Sequence, residues 1–359
     1  MTYRFMNGYR KFRAMLMLAA WLGAAGAFAQ TNWYVTTNGS DSADGQTWGT
    51  AFVSISNAIA HAVGGDRVVV SNGTYNITNM LQIATNITVE SVNGPAVTIV
   101  NRSTSDRFGI FRLNHTNALL SGFTATNGYG PYYDWTNASG IFLSKGTASN
   151  CVIAGCTSDR ASSLGVEAGT LATDCVIENN TEAGNYTGGP VRMNQGTLQR
   201  CIIRSNRANP GGAAAISIYN GTATIRSCVI SNNSPVSAGS ILTAVDIYSG
   251  GGSCTIENCL IVDNRARGIT IASSTQLRNC TIANNRVTTG QGDGLYMTGG
   301  GVTNCIIYGN GMDPYVANQT NVTMAGGSIG YSCVYPAVSG PGNTNADPRF
   351  TNPAGGDYS

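Results

Sequence analysis

Charge is what this chain has least of. Only 11% of its 359 residues are Asp, Glu, Lys or Arg, well under the quarter usual in soluble domains. It has 2 histidines and a formal net charge of +2. Four of the cations, Arg4, Arg10, Lys11 and Arg13, stand at the extreme N-terminus, so the rest of the chain holds 16 basic and 18 acidic residues. No basic patch for phosphate or membrane lipid is implied, and nucleic-acid binding is excluded as the main role. Helical periodicity over 10 to 15 residues is missing between the apolar segments, which argues against alternating strands and helices. No Cys-x-x-Cys occurs, so thiolate metal centres are not expected. Past residue 29 no stretch is apolar enough to span a bilayer.

What is present is repetition. CVIAGC, CVIENN, CIIRSN, CVISNN, CLIVDN, CTIANN and CIIYGN begin at Cys151, Cys175, Cys201, Cys228, Cys259, Cys280 and Cys305, at intervals of 24, 26, 27, 31, 21 and 25 residues. Five residues after each Cys comes Asn180, Asn206, Asn233, Asn264, Asn285 or Asn310, and only the first copy departs, with Cys156. A period of this length marks a solenoid. Within a copy the apolar residues alternate, Cys201 and Ile203 to one side and Ile202 to the other, as in a strand. A further apolar pair precedes each Cys. A third short strand follows each Asn: GIFL, GVEAG, GPVRM, AISIY, AVDIY, GITIA, GLYMT. The expected fold is all-β: a parallel β-helix with three short strands per coil, a Cys column and an Ile column inside, and stacked Asn side chains at one turn. Asn also tolerates left-handed backbone angles, which suits it to that turn.

The Cys column is expected to hold buried free thiols, because Cys packs as a small apolar residue. Cys333 extends the series, and Cys254–Cys259 or Cys151–Cys156 are the better candidates for bridges.

Residues 1–29 have the form of a cleaved export signal: a basic segment through Arg13, the apolar run MLMLAAWLGAAGAFA, and Ala27-Phe28-Ala29 as a small-x-small site. Residues 30–66 are expected to form a strand (Trp33 to Val35) and a capping helix over 50–63. Phe52, Ile55, Ile59 and Val63 fall at helical spacing, and Gly64-Gly65 ends the helix. Laid across the first coil, that helix would cover open strand edges. The coils run over 67–335. Thr88 and Gly122 are expected in the Cys slot of the less regular early coils, and the rhythm weakens beyond 311. Residues 336–359 are a tail rich in Pro and Gly.

The phrase YVTTNGSD…GTAF…AI…GDRVVVSNGTY resembles the N-terminal signature of bacterial right-handed parallel β-helix proteins of the pectin lyase-like superfamily, some similar to polymorphic outer membrane proteins. The resemblance implies a right-handed β-helix and export to the bacterial surface or medium. The tail NTNADPRFTNPAGGDYS is similar to the segment that follows the last coil in such proteins, where a further strand and sometimes an anchor or sorting module come next. This implies a truncated C-terminus. The superfamily hosts lyases, hydrolases, adhesins and tailspikes, so it does not settle chemistry.

Family enzymes place their clefts on the face of the third strand, where alignment of the copies yields an outward column of Phe142, Glu167, Arg192, Ser217, Asp246, Thr270 and Tyr296. Glu167 and Asp246 would be three coils apart, roughly 14 Å at about 4.8 Å per coil. That is too far to share a Ca²⁺ or to form a glycosidase pair. The Asp-Asp and Gly-His-Gly motifs of polygalacturonases are absent, and His61 and His115 lack partners suited to acid–base work. Arg226, Glu257 and Arg278 share one slot, and Glu178 adjoins Arg204, as in solvated cross-strand pairs. Arg192, Arg207, Arg265 and Arg286 could instead line a groove for an anionic polysaccharide. Tyr132, Tyr133 and Trp135, on an irregular segment, are suited either to stacking on sugar rings or to packing.

The expectation is an exported surface or extracellular β-helix protein, non-catalytic, adhesive or polysaccharide-binding. No catalytic residue, metal or cofactor is assigned. Its partners would be polysaccharides or cell-surface glycans, with no nucleic acid and no membrane span in the mature chain. The alternative is a carbohydrate-active enzyme, a pectate lyase-like polysaccharide lyase or a glycoside hydrolase, and Ca²⁺ is expected only then. A tailspike-like structural element is the third possibility.

Overall fold

In the computed structural model, the structure describes residues 30–358 apart from 131–136, 185–187, 210–211, 220–221, 238–241, 248–252, 273, 288–292 and 313–319. Strands stack in parallel into a solenoid with three main faces. Each coil supplies one strand to each face, as Ala138–Leu143, Thr147–Ser149 and Val152–Ala154 do. We call these the second, first and third faces. The third face is an eleven-stranded sheet from Gly73–Ile77 to Cys333–Val334. The first and second faces merge where Leu295–Thr303 and Val322–Gly330 run through the corner between them. Two-residue strands such as Thr181–Glu182 and Arg207–Ala208 add short sheets at the turn after the third face.

The alternation read from the repeats is the packing rule of the core. Ile153, Ile177, Ile203, Ile230, Ile261, Ile282 and Ile307 stand in register and are fully buried. Opposite them run Val89, Leu120, Ala148, Ala172, Leu198, Ile225, Ile256, Leu277 and Val302 of the first face. A lone copy would leave both rows wet. Stacked, they form one continuous core.

The Asn column is a buried hydrogen-bond ladder. Asn206 Oδ1 accepts from the backbone N–H of Asn180 at 3.1 Å and from its Nδ2 at 3.0 Å. The same step recurs from Asn206 to Asn233, Asn264, Asn285, Asn310 and finally Asn321. Where the first copy has Cys156, only the backbone N–H enters the ladder, donating to Asn180. The left-handed angles fall one residue earlier than expected, at Asn179, Ser205, Asn232, Asp263 and Asn284, with φ of 54–57°. The ladder Asn thus serves through its side chain, and its predecessor makes the bend. A second left-handed column, Asn150, Asp174, Arg200, Ser227, Asn258, Asn279 and Asn304, directly precedes the Cys residues. Two such single-residue bends per coil turn the chain sharply on both sides of the third face.

All ten cysteines are free thiols, nine of them buried, and neither candidate pair is bridged. Cys333 does not continue the column. It pairs with Ile306, while buried Ser332 takes the slot and accepts from the Cys305 N–H. In the early coils the slot belongs to Phe123, because Val152 pairs with Thr124, and to Thr98 in the coil before. Gly122 stands one residue earlier, with φ 82°, and Thr88 lies on the first face beside Leu119. Without a Cys at the corner, the sequence does not mark the position within the coil.

The expected N-terminal strand is Asn32–Val35, parallel to Arg67–Val70. The capping helix is shorter than expected, Ile55–His61, preceded by a 3-10 turn at Trp48–Thr50. Ser54 caps its start and is itself held by Asp41. Ala62 is already extended, so the helix stops before Gly64, and Val63 is 59% exposed. Trp33, Phe52 and His61 stack at this end. Coils continue past 311. Beyond them Thr344 bridges to Cys333 along the last third-face edge, so the tail closes that edge as the helix closes the other end.

Candidate functional site

The outward column of the second face runs Gln82, Arg112, Phe142, Gly165, Arg192, Ser217, Asp246, Thr270, Tyr296 and Thr323. Glu167 is not in it. The strand ends at Val166, and the column position is Gly165, where a Cβ would stand 2.4 Å from the Phe142 ring. Glu167 sits just outside the strand, 3.9 Å from the Arg192 guanidinium, and accepts from Asn194 Nδ2 at 2.8 Å.

Three guanidinium groups of this face lie against rings: Arg112 over Phe142 at 5.0 Å, Arg192 over Tyr219 at 5.7 Å and Arg267 over Tyr296 at 5.9 Å. The repeat places them on successive parts of one wall, and each ring presents its face to a cation. Ser217 and Phe142 are buried, whereas Arg192, Asp246 and Tyr296 are half-buried.

Of the four arginines suggested as one groove, three share a column and Arg192 stands apart from them. Arg192 is on the second face, Arg207 is in the short sheet after the third-face turn, and Arg286 is in a separate two-stranded sheet there. Arg207, Arg265 and Arg286 nevertheless follow the ladder Asn in one column, with Ser234 between the first two, their backbone N–H groups donating to the carbonyls of Asn180, Asn233 and Asn264. The expected Arg204–Glu178 pair is present, and Arg226, Glu257 and Arg278 share one register slot. Tyr132, Tyr133 and Trp135 lie outside the described residues.

Besides Asp66 at the N-terminal end, two carboxyl groups that the sequence does not mark are buried, Asp293 and Glu182. Asp293 stands at the edge of the second face, just before the strand carrying Tyr296. Its Oδ1 accepts from Thr323 at 3.0 Å and its Oδ2 has no hydrogen-bond partner. Burial raises its pKa, against the Thr323 hydrogen bond and the Arg267 charge. Glu182, at the turn after the third face, accepts from the Ser158 hydroxyl. Burial pushes it up to about 8. Glu182 stands in register with Ser158 and Ala208, but a carboxyl recurs at neither position, and no local signal marks Glu182 or Asp293. Among the described residues no group of three or more His, Cys, Asp or Glu could hold a metal ion.

Residues 243–336 match a family model described as a right handed beta helix region. The chain carries a right-handed β-helix. No curated protein matches it. Solved structures similar to this β-helix include XylC with xylose (11% identity, 88% of this chain and 70% of that one, TM-score 0.47). Pectate lyase Pel9A is similar at 16% identity over 87% and 72%, with a TM-score of 0.39. The mannuronan C-5 epimerase AlgE4 A-module of Azotobacter vinelandii is similar at 12% over 79% and 91%, with a TM-score of 0.40. Likeness at this level leaves the chemistry of the β-helix to its own side chains. No helix among the described residues is long and apolar enough to cross a membrane.

Proposed function

We propose that this chain is an exported, non-catalytic β-helix protein whose second face binds an anionic polysaccharide. One observation carries the reading: three guanidinium–ring pairs stand along a single wall of the solenoid. The half-buried rings of Tyr219 and Tyr296 offer apolar surface to sugars, and guanidinium groups pair with carboxylates. A regular wall also suits a regular polymer better than a compact ligand. Glu167 and Asp246 are too far apart to act as a catalytic pair, since Asp246 is three coils from the level of Gly165, on the order of 14 Å. Export rests on the leader-like residues 1–29.

The test is retention on immobilised polygalacturonate and alginate against a neutral polymer, with and without Ca²⁺. Binding to the acidic polymers, weakened by salt and lowered about tenfold by Arg192→Ala, is the expected outcome. Equal retention on the neutral polymer would remove the charge argument.

A second reading, a polysaccharide lyase or glycoside hydrolase, is favoured by one feature. Asp293 is a buried carboxyl with a raised pKa beside Arg267, Tyr296 and Thr323, as an acid catalyst would be. Unsaturated product or new reducing ends, abolished in Asp293→Asn, would establish it over the non-catalytic one.

A further inference from the structure

Beyond the second face, a separate cavity lies where the tail folds back onto the third face. Phe350 and Tyr358 meet edge to face at 5.1 Å, and Tyr358 is buried against Val262 and Ala283. The Tyr358 hydroxyl donates to Asp263 Oδ1 at 2.6 Å across 95 residues of sequence, so the tail is pinned by a specific contact as well as by apolar packing. Between the tail and the coils remains a space of about 540 Å³, lined on one side by Asn284, Arg286, Tyr308 and Gly309 and on the other by Asp347, Arg349, Phe350 and Tyr358. That is the size of a small-molecule site.

Its lining has a definite chemistry. Two guanidinium groups and one carboxylate, those of Arg286, Arg349 and Asp347, line it. Arg286 Nε donates to Asn284 Oδ1 at 2.7 Å, which fixes its direction. Arg349 takes part in none of the ion pairs of the described residues. It is held with φ 53° while its backbone N–H donates to Asp347 Oδ1 at 2.9 Å. Phe350, Tyr308 and Tyr358 supply ring surfaces, and a Cβ at Gly309 would meet nothing within 4 Å. Cations at a rim of rings fit a compact ligand with one carboxylate and a ring body.

We infer that the tail and the last coils form a second binding site, for a cyclic carboxylate of monosaccharide size. It is independent of the second face, which lacks the tail's residues. The test is calorimetric titration of the full chain with galacturonic acid, with galactose and acetate as controls, repeated on Arg349→Ala and Arg192→Ala. The thermal melt of each variant is recorded, and exposed Arg349 is expected to leave it unchanged. Saturable galacturonate binding in the millimolar range or tighter, absent with either control, reduced about tenfold by Arg349→Ala and unchanged by Arg192→Ala, supports the site. No saturation by about 10 mM, equal binding of galactose or acetate, or loss in Arg192→Ala with Arg349→Ala unaffected would overturn it. The last outcome would assign the sugar to the second face.

Discussion

Asn233→Ala removes one rung of the buried ladder, and the structure says what is lost. Asn233 Oδ1 accepts from the Asn206 N–H and Nδ2, both at 3.0 Å. Its Nδ2 donates to the Ile203 carbonyl at 3.0 Å and to Asn264 Oδ1 at 2.9 Å. The residue has no exposed surface, so water cannot replace these partners without opening the coil. Each bond contributes about 1 kcal/mol net, and a stranded buried donor costs a further 1–3 kcal/mol or so. The Asn206 amide is stranded outright, whereas its Nδ2 keeps the Ile177 carbonyl. The expected loss is about 3–5 kcal/mol. The neighbouring Asn232 provides the control. It carries the bend, φ 57°, and not a rung, so Asn232→Ala should cost about 1–2 kcal/mol and Asn232→Gly close to nothing. Amide hydrogen exchange is the suitable assay, because solenoids open locally and a global unfolding energy can miss one coil. Protection should fall most at Asn206 and its neighbours in Asn233→Ala. A loss under about 1 kcal/mol, or a larger loss in Asn232→Ala, would refute the assignment of the two roles.

Glu182→Gln should flatten a pH dependence. In the folded chain burial raises this carboxyl from 4.5 to about 8, helped by Asp159 and opposed by Ser158 and the Gly184 amide. The unfolded chain ionises first, so its stabilisation is full below about pH 4.5 and is lost as pH rises towards about 8. The wild type should lose on the order of 2–5 kcal/mol more than Glu182→Gln between pH 5 and pH 8, read as a difference in melting temperature. Identical slopes would contradict the burial. Asp66 behaves oppositely. Burial tends to raise it, but hydrogen bonds from Trp33, Val63 and Thr31 prevail and lower it. Its stabilisation is present above about pH 4 and is lost as pH falls through its folded value. Asp66→Asn should loosen the first strand and the cap by about 1–3 kcal/mol, seen as faster exchange at Thr31 and Val63. For the thiols, a chromogenic disulfide reagent should reach only half-buried Cys333 quickly in the native protein and all ten after denaturation. Rapid reaction of several thiols in the native state would rule out the closed column.

The repeat determined a great deal unaided. In a solenoid each residue meets its counterpart one coil away, so the contacts of the core are written into the chain at a nearly constant offset. That is why the Ile column, the Asn ladder and most of the Cys column were legible, and why the Arg204–Glu178 neighbours could be paired. Where the marker residue was missing, reading slipped by one position at Gly122 and Cys333, and by a whole strand at Thr88. Glu167 slipped because a strand end is set by where pairing stops, and the Phe142 ring occupies the space beside Gly165. Glu182, Asp293 and the cavity under the tail were beyond any pattern. Each occurs once, and its environment comes from side chains and turns whose positions no period specifies. Burial and distance across the molecule decide what a carboxyl or a guanidinium can do, and only the folded coils bring Tyr358 to Asp263.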